Sequence, residues 1–133
     1  MHCALTFDKA HEIKPLRAIT LEEHFVTRSF IKATEVYGRS PVPRIAELQP
    51  KLLDIGAGRI ADMDAAAIHV QILSLAATGF DALDASTASS LARDVNDELA
   101  DAVRSHPARF GCFATLALHD PKAAVIELER CVA

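Results

Sequence analysis

Short apolar runs at 16–25, 69–75 and 110–118 alternate along the chain with stretches whose apolar residues recur every third or fourth position. Strand signals interleaved with helix signals of this kind are the pattern of βαβ units, which place parallel strands side by side and carry the chain back through crossover helices. The later runs, such as His-Val-Gln-Ile-Leu-Ser-Leu from His69, are apolar almost throughout, as strands covered on both faces are. The expectation is an α/β chain of about three βα units, built as a doubly wound sheet or as part of a barrel.

The intervening segments are uneven in quality. Over 86–105, Leu91, Val95, Leu99 and Val103 share one face, while Arg93, Asp94, Asp97, Asp101 and Arg104 occupy the others, and Pro107 lies just beyond. This predicts a helix. Over 51–67 a helix is expected from Ile60, Met63 and Ala67, although Gly56 and Gly58 weaken its first half. Asp120-Pro121 is an N-cap followed by proline at the first helical position, with Val125, Leu128 and Val132 as the expected inward face. Residues 26–50 hold Gly38, Pro41, Pro43 and Pro50 and suit a loop with short helical pieces. Long ordered loops are commonly lids or binding loops. Residues 1–15 show no period and end at Pro15, so they are assigned as an N-terminal extension to a domain at 16–133.

Composition narrows the function classes. A chain of 133 residues, 50% hydrophobic and 24% charged, suits one globular domain. The net charge of −4 comes from scattered acids and bases, which argues against a nucleic-acid partner, since that needs clustered Lys and Arg. No apolar run reaches the roughly 18 residues of a membrane span, and Asp8, Lys9, Glu12 and Lys14 fall where a signal peptide is apolar, so a cytoplasmic protein is expected. Cys3, Cys112 and Cys131 are odd in number and far apart, which suits reduced thiols, with Cys112 and Cys131 expected in the core. No Gly-x-Gly-x-x-Gly or Gly-x-x-x-x-Gly-Lys loop follows the first strand, which argues against nucleotide binding.

Glu22 and His24 stand two apart at the end of the first strand, and alternate strand residues share a face. A carboxylate and an imidazole placed so can meet one cation. In a parallel barrel that end of the strand opens onto the active-site face, whereas Glu23 points toward the helices. By spacing alone the pair is a common arrangement, equally at home on an exposed strand end without a ligand. His69, at the other end of its strand, and His106, at a helix end, are expected to be structural.

Ile19-Thr20-Leu21-Glu22-Glu23-His24-Phe25 resembles the opening of the decarboxylase branch of the amidohydrolase superfamily, the group of gamma-resorcylate and 2,3-dihydroxybenzoate decarboxylases and, more distantly, aminocarboxymuconate-semialdehyde decarboxylase. The likeness continues in order through Arg59-Ile60-Ala61-Asp62-Met63-Asp64-Ala65-Ala66 and Val70-Gln71-Ile72-Leu73-Ser74-Leu75. It extends through Leu91-Ala92-Arg93-Asp94-Val95-Asn96-Asp97-Glu98-Leu99, His106-Pro107, Arg109-Phe110 and Ala114-Thr115-Leu116, covering about 16–133. Two departures stand out: Ala67 sits where relatives often have glycine, and Thr78 where proline is common.

The resemblance implies an incomplete TIM (β/α)8 barrel with one divalent ion, zinc or manganese in most relatives and magnesium in some, held in part by Glu22 and His24. It implies non-oxidative decarboxylation of a hydroxylated aromatic acid, with Phe25, Thr78, Phe80 and His119 as candidate contacts to that small carboxylic acid. No catalytic acid is identifiable in this chain. The family's proton donor is an aspartate late in the barrel, and a further histidine ligand comes from its middle. A barrel needs eight strands and about 250 residues, so the exposed edges suggest a homo-oligomer or a companion chain that completes it. Two other readings stand beside decarboxylation: a non-catalytic remnant or assembly piece, and a metal-dependent hydrolase of C–N or ester bonds.

Overall fold

The structure, a computed structural model, describes residues 16–34, 43–76 and 80–133. The extension assigned to 1–15 and the candidate contact Thr78 lie outside the described residues. Strands β1 (Ile19–Phe25), β2 (Val70–Leu75) and β3 (Phe110–Cys112) form one parallel sheet in the order β1-β2-β3. Helices α1 (Arg28–Thr34), α2 (Pro43–Leu53) and α3 (Ala57–Ala65) lie between β1 and β2. Helix α4 (Ala85–Ser105), preceded by a 3-10 turn at Phe80–Ala82, lies between β2 and β3, and α5 (Pro121–Val132) follows β3.

The sheet is two-faced. Along β2, Gln71, Leu73 and Leu75 are buried while Val70, Ile72 and Ser74 are only half-buried, so the helices cover one side and leave the other open. Phe25, Leu73 and Phe110 meet Phe30 of α1, Met63 of α3 and the Leu91, Ala92, Val95 and Leu99 face of α4 in one apolar core. Phe30 and Phe80 stack within it, ring centroids 5.9 Å apart. Helix α4 is the one the periodicity predicts. Asp84 caps it, its side chain accepting from the backbone N–H groups of Ser86 and Thr87 at 3.1 and 3.0 Å.

Four expectations need correction. The helix expected at 51–67 is two helices, because Asp54 breaks it: its carboxylate accepts from the Gly56 N–H at 2.9 Å. A Cβ on Gly58 would stand 2.0 Å from Asp54 Oδ2, so a side chain there would displace that carboxylate. The third strand ends at Cys112 rather than running to 118, and Asn96 of α4 takes over where the ladder stops. Its side chain accepts from Thr115 N at 2.8 Å and donates to Thr115 O at 2.9 Å, satisfying the backbone as a neighbouring strand would. Helix α5 turns Ala124 and Glu127 inward, leaving Val125, Leu128 and Val132 exposed, because it docks on α4 through polar contacts. Cys112 and Cys131 are exposed rather than in the core. Partial desolvation still pushes both thiols up, which keeps them protonated.

Two details govern stability. The end of α3 is a Schellman motif, with Ile68 N–H bonded to Met63 O at 2.9 Å and Ala67 N–H to Asp64 O at 3.2 Å. Ala67 therefore occupies the left-handed position, φ 54°, usually given to glycine. Glu127, 6% exposed, accepts from Arg130 Nη2 at 2.6 Å and from Asn96 Nδ2 at 2.8 Å. The Arg130 guanidinium, and after it the Asn96 amide, hold the Glu127 carboxyl down at about 2, against the opposing effect of burial.

Ala67→Gly should raise the unfolding free energy by roughly 0.5–1 kcal/mol, since relief of the left-handed strain exceeds the added freedom of the unfolded chain; urea unfolding at constant slope measures it. The folded Glu127 carboxyl titrates at about 2, below its ordinary value of 4.5, so its contribution is fully present above about pH 4.5 and lost as the pH falls toward 2. Unfolding free energy should drop more steeply across that window in the parent chain than in Glu127→Gln.

Candidate functional site

The register of β1 against β2 is interrupted where the candidate ligands lie. Ile19 and Thr20 pair with Val70 and Gln71, and Glu23, His24 and Phe25 pair with Leu73, Ser74 and Leu75. Leu21 and Glu22 together therefore face the single residue Ile72, which makes a β-bulge. Thr20 and Glu23 both lie on the helical side, as their partners Gln71 and Leu73 do, so Leu21 and Glu22 both fall on the open side. His24, paired with Ser74, is on that side too. Plain alternation through the strand, the basis of the sequence argument, fails between Thr20 and Glu23; the bulge supplies the shared face in its place.

Glu22 adopts φ 56°, a left-handed conformation that costs a non-glycine residue about 1–3 kcal/mol. Such strain persists only where the surroundings impose it, and it gathers at sites that hold ligands. Both Glu22 and His24 are exposed. The His24 ring is fixed on one edge, Nδ1 lying 3.1 Å from Ser74 Oγ.

From the helical side the same strand end is held by Arg59 of α3. Its Nη2 donates to the carbonyls of His24 at 2.8 Å and Lys51 at 3.2 Å, its Nε to that of Asp54 at 2.8 Å, and its Nη1 to Gln71 Oε1 at 3.4 Å. Burial lowers the guanidinium below its ordinary value while Glu23, Asp54 and Asp62 oppose the shift, and an arginine so placed stays charged. One cation thus ties β1, β2 and the α2–α3 turn together.

The other candidates do not join this face. Phe25 is fully buried and Phe80 nearly so, both packed in the apolar core rather than on the open face. Strand alternation sends Phe25 to the helical side with Leu75. His119 is exposed in the turn after β3. His69 is structural, as expected: its Nδ1 accepts from Ala18 N at 3.1 Å. His106 ends α4 and meets Phe110 edge-on, ring centroids 5.7 Å apart. Ser74 and Arg59 were not singled out from sequence. The available signal for Ser74 was its place as a hydroxyl in an otherwise apolar strand end.

A carboxylate oxygen and an imidazole nitrogen, exposed together at the C-terminal end of the first parallel strand, suit a divalent ion such as manganese or zinc. Together they would make a partial donor set. Among the described residues no group of three or more His, Cys, Asp or Glu side chains is gathered to hold a metal.

No family model matches the chain. It is 43% identical over 115 residues to the gamma-resorcylate decarboxylase of Polaromonas sp. (strain JS666), covering 86% of this chain and 35% of that protein. The gamma-resorcylate decarboxylase of Rhizobium sp. (strain MTP-10005) gives the same identity and the same shares. The chain thus spans about a third of the length of these curated relatives. Among solved structures, the dihydroxybenzoic acid decarboxylase of Polaromonas sp. JS666, with bound manganese and the inhibitor 2-nitroresorcinol, superposes with a TM-score of 0.76 at 41% identity, over 87% of this chain and 35% of that one. The manganese-bound 5-carboxyvanillate decarboxylase of Novosphingobium aromaticivorans gives a TM-score of 0.78 at 36% identity, over 86% and 38%. The sheet and its helices are accordingly an incomplete TIM barrel, about three of its βα units.

Arg59→Met should lower the unfolding free energy by about 1–3 kcal/mol, because it removes hydrogen bonds to three carbonyls and to Gln71 at once. Arg59→Lys should recover less than half of that, a point charge being unable to serve donors spread over a planar fork. Denaturant unfolding of both variants measures the difference.

Proposed function

Over 115 of its residues the chain is homologous to the gamma-resorcylate decarboxylases, the branch of the amidohydrolase superfamily its opening residues resemble, and from this we propose that it carries the first strands of a divalent-metal-dependent enzyme. The reaction we assign is the non-oxidative decarboxylation of a hydroxylated aromatic acid. The observation that carries the reading is the pairing of Glu22 and His24 on the open face, with Glu22 held in the strained backbone conformation of the bulge. Manganese is the favoured cation, since solved relatives contain it.

When bound, the ion supplies charge stabilisation to the substrate's hydroxyl and carboxylate oxygens. The chain's own residues position that charge. Glu22 offers a carboxylate from the bulge, and His24 offers an imidazole whose backbone Arg59 anchors from behind. Leu21 and Ile72 line the same open face with apolar surface suited to an aromatic ring. Catalytic metal sites usually take three protein ligands, so the remaining donors and the proton-donating acid must come from residues beyond this pair. Turnover is assigned to a protein that supplies them. The partial donor set also favours a second reading, in which this chain acts as an assembly piece.

Manganese binding, followed by the loss of the free aquo-ion signal in electron paramagnetic resonance, should weaken at least about tenfold in Glu22→Gly and in His24→Ala. Glu22→Gly should meanwhile hold its stability or gain up to about 1 kcal/mol from the relieved backbone. Undiminished binding in both variants would remove the ligand assignment. For the chemistry, a protein carrying the further donors should release carbon dioxide from 2,6-dihydroxybenzoate in the presence of manganese; cleavage of an amide or lactone instead would assign it to hydrolysis.

A further inference from the structure

We propose that Ser74 is a positioning residue for the metal-binding imidazole: its hydroxyl engages Nδ1 of His24 and turns Nε2 toward the cation. The inference rests on the assignment of His24 as a ligand and adds the group that orients it.

The geometry comes from the sheet register. His24 and Ser74 are direct partners across the β1–β2 ladder, on the same open face, with Nδ1 and Oγ 3.1 Å apart. Cross-strand partners have Cβ atoms about 5 Å apart, so a one-carbon hydroxyl spans the gap to the near ring nitrogen and cannot reach the far one. Nε2 is left without a hydrogen-bond partner among the described residues. The ring's two torsions are thereby set by Ser74, while the Arg59 bond to the His24 carbonyl at 2.8 Å sets the backbone they spring from. Side chain and main chain are held from opposite faces of the sheet.

The choice of residue fits the task. Serine is a weak strand former, and Val, Ile or Thr would suit a half-buried β position better. Its position is half-buried, next to the buried Leu73 and Leu75, so its cost is not offset by full solvation. A hydroxyl both donates and accepts. In the metal-free chain it accommodates either imidazole tautomer; once a cation takes Nε2, Nδ1 must carry the proton and donate to Ser74 Oγ. Imidazoles that bind metals usually donate their second N–H to a fixed acceptor in this way, and loss of the acceptor typically weakens binding 10–100-fold.

The test compares Ser74→Ala and Ser74→Thr with His24→Ala in the full chain. Manganese affinity, by displacement of the free-ion signal, should fall about tenfold or more in Ser74→Ala and return close to the parent value in Ser74→Thr, which restores the hydroxyl. With zinc as a diamagnetic probe, long-range proton–nitrogen spectra of the parent chain should show Nε2 ligated and Nδ1 protonated. Parent-like affinity in Ser74→Ala beside lost affinity in His24→Ala overturns the role of Ser74 and leaves the ligand assignment standing. Retained affinity in His24→Ala overturns both. Should Ser74→Ala fail to fold, the zinc spectrum of the parent chain decides: Nδ1 ligation, or an Nδ1 proton that exchanges freely with solvent, refutes the proposal, and Nε2 ligation with an Nδ1 proton protected from exchange by its bond to Ser74 Oγ upholds it.

Discussion

The pairing of β1 with β2, with one extra residue absorbed in the middle of β1, governs what the rest of this chain can do. Parallel strands are held by backbone bonds that run the length of the ladder, so an inserted residue must be accommodated by bending the strand and twisting it more strongly. Here the extra residue brings Leu21 and Glu22 together on the open face and restores the alternation in time for His24 to fall beside Ser74. Without that insertion Glu23 and Phe25 would lose their places on the helical side, where Phe25 fills the core.

Polar side chains, Arg59 half-buried and Asn96 buried, hold the extended segments that the ladder does not complete. Arg59 collects carbonyls from the end of β1 and from the α2–α3 turn, which lack strand partners there. Asn96 does the same beyond β3, occupying both backbone groups of Thr115 and handing its remaining N–H to Glu127. Each network is well satisfied, and this matters because a half-satisfied buried network destabilises more than an apolar core of the same volume. The consequence is a hydrogen-bonded frame beneath the open face.

Apolar surface remains exposed both on the open face and on α5. Ile19 and Leu21 from the sheet and Val125, Ile126 and Val132 from α5 are exposed, and none has an element packed on it among the described residues. In a closed barrel the equivalent sheet face is filled by layers of side chains from all strands. The relatives are about three times as long as the stretch matched here, so the same residues there have many more neighbours available.

Much of this was legible in the residues themselves. The βα order, the span of α4, the Asp120 cap and the direction of Glu23 follow from short-range rules: apolar spacing, capping chemistry and strand alternation act over a few positions and leave their signature in sequence. Glu22 and His24 stand out in sequence by their spacing, but the bulge, not strand alternation, gives them a shared face. Tertiary structure alone decided the rest. Which side Phe25 takes depended on the bulge, Phe80 is buried where it stacks on Phe30, and whether Val125, Leu128 and Val132 were inward depended on α5 docking through Glu127. The roles of Ser74 and Arg59 arise from contacts across 50 and 35 positions of chain, which no local pattern encodes, because such contacts exist only once the sheet has aligned its strands.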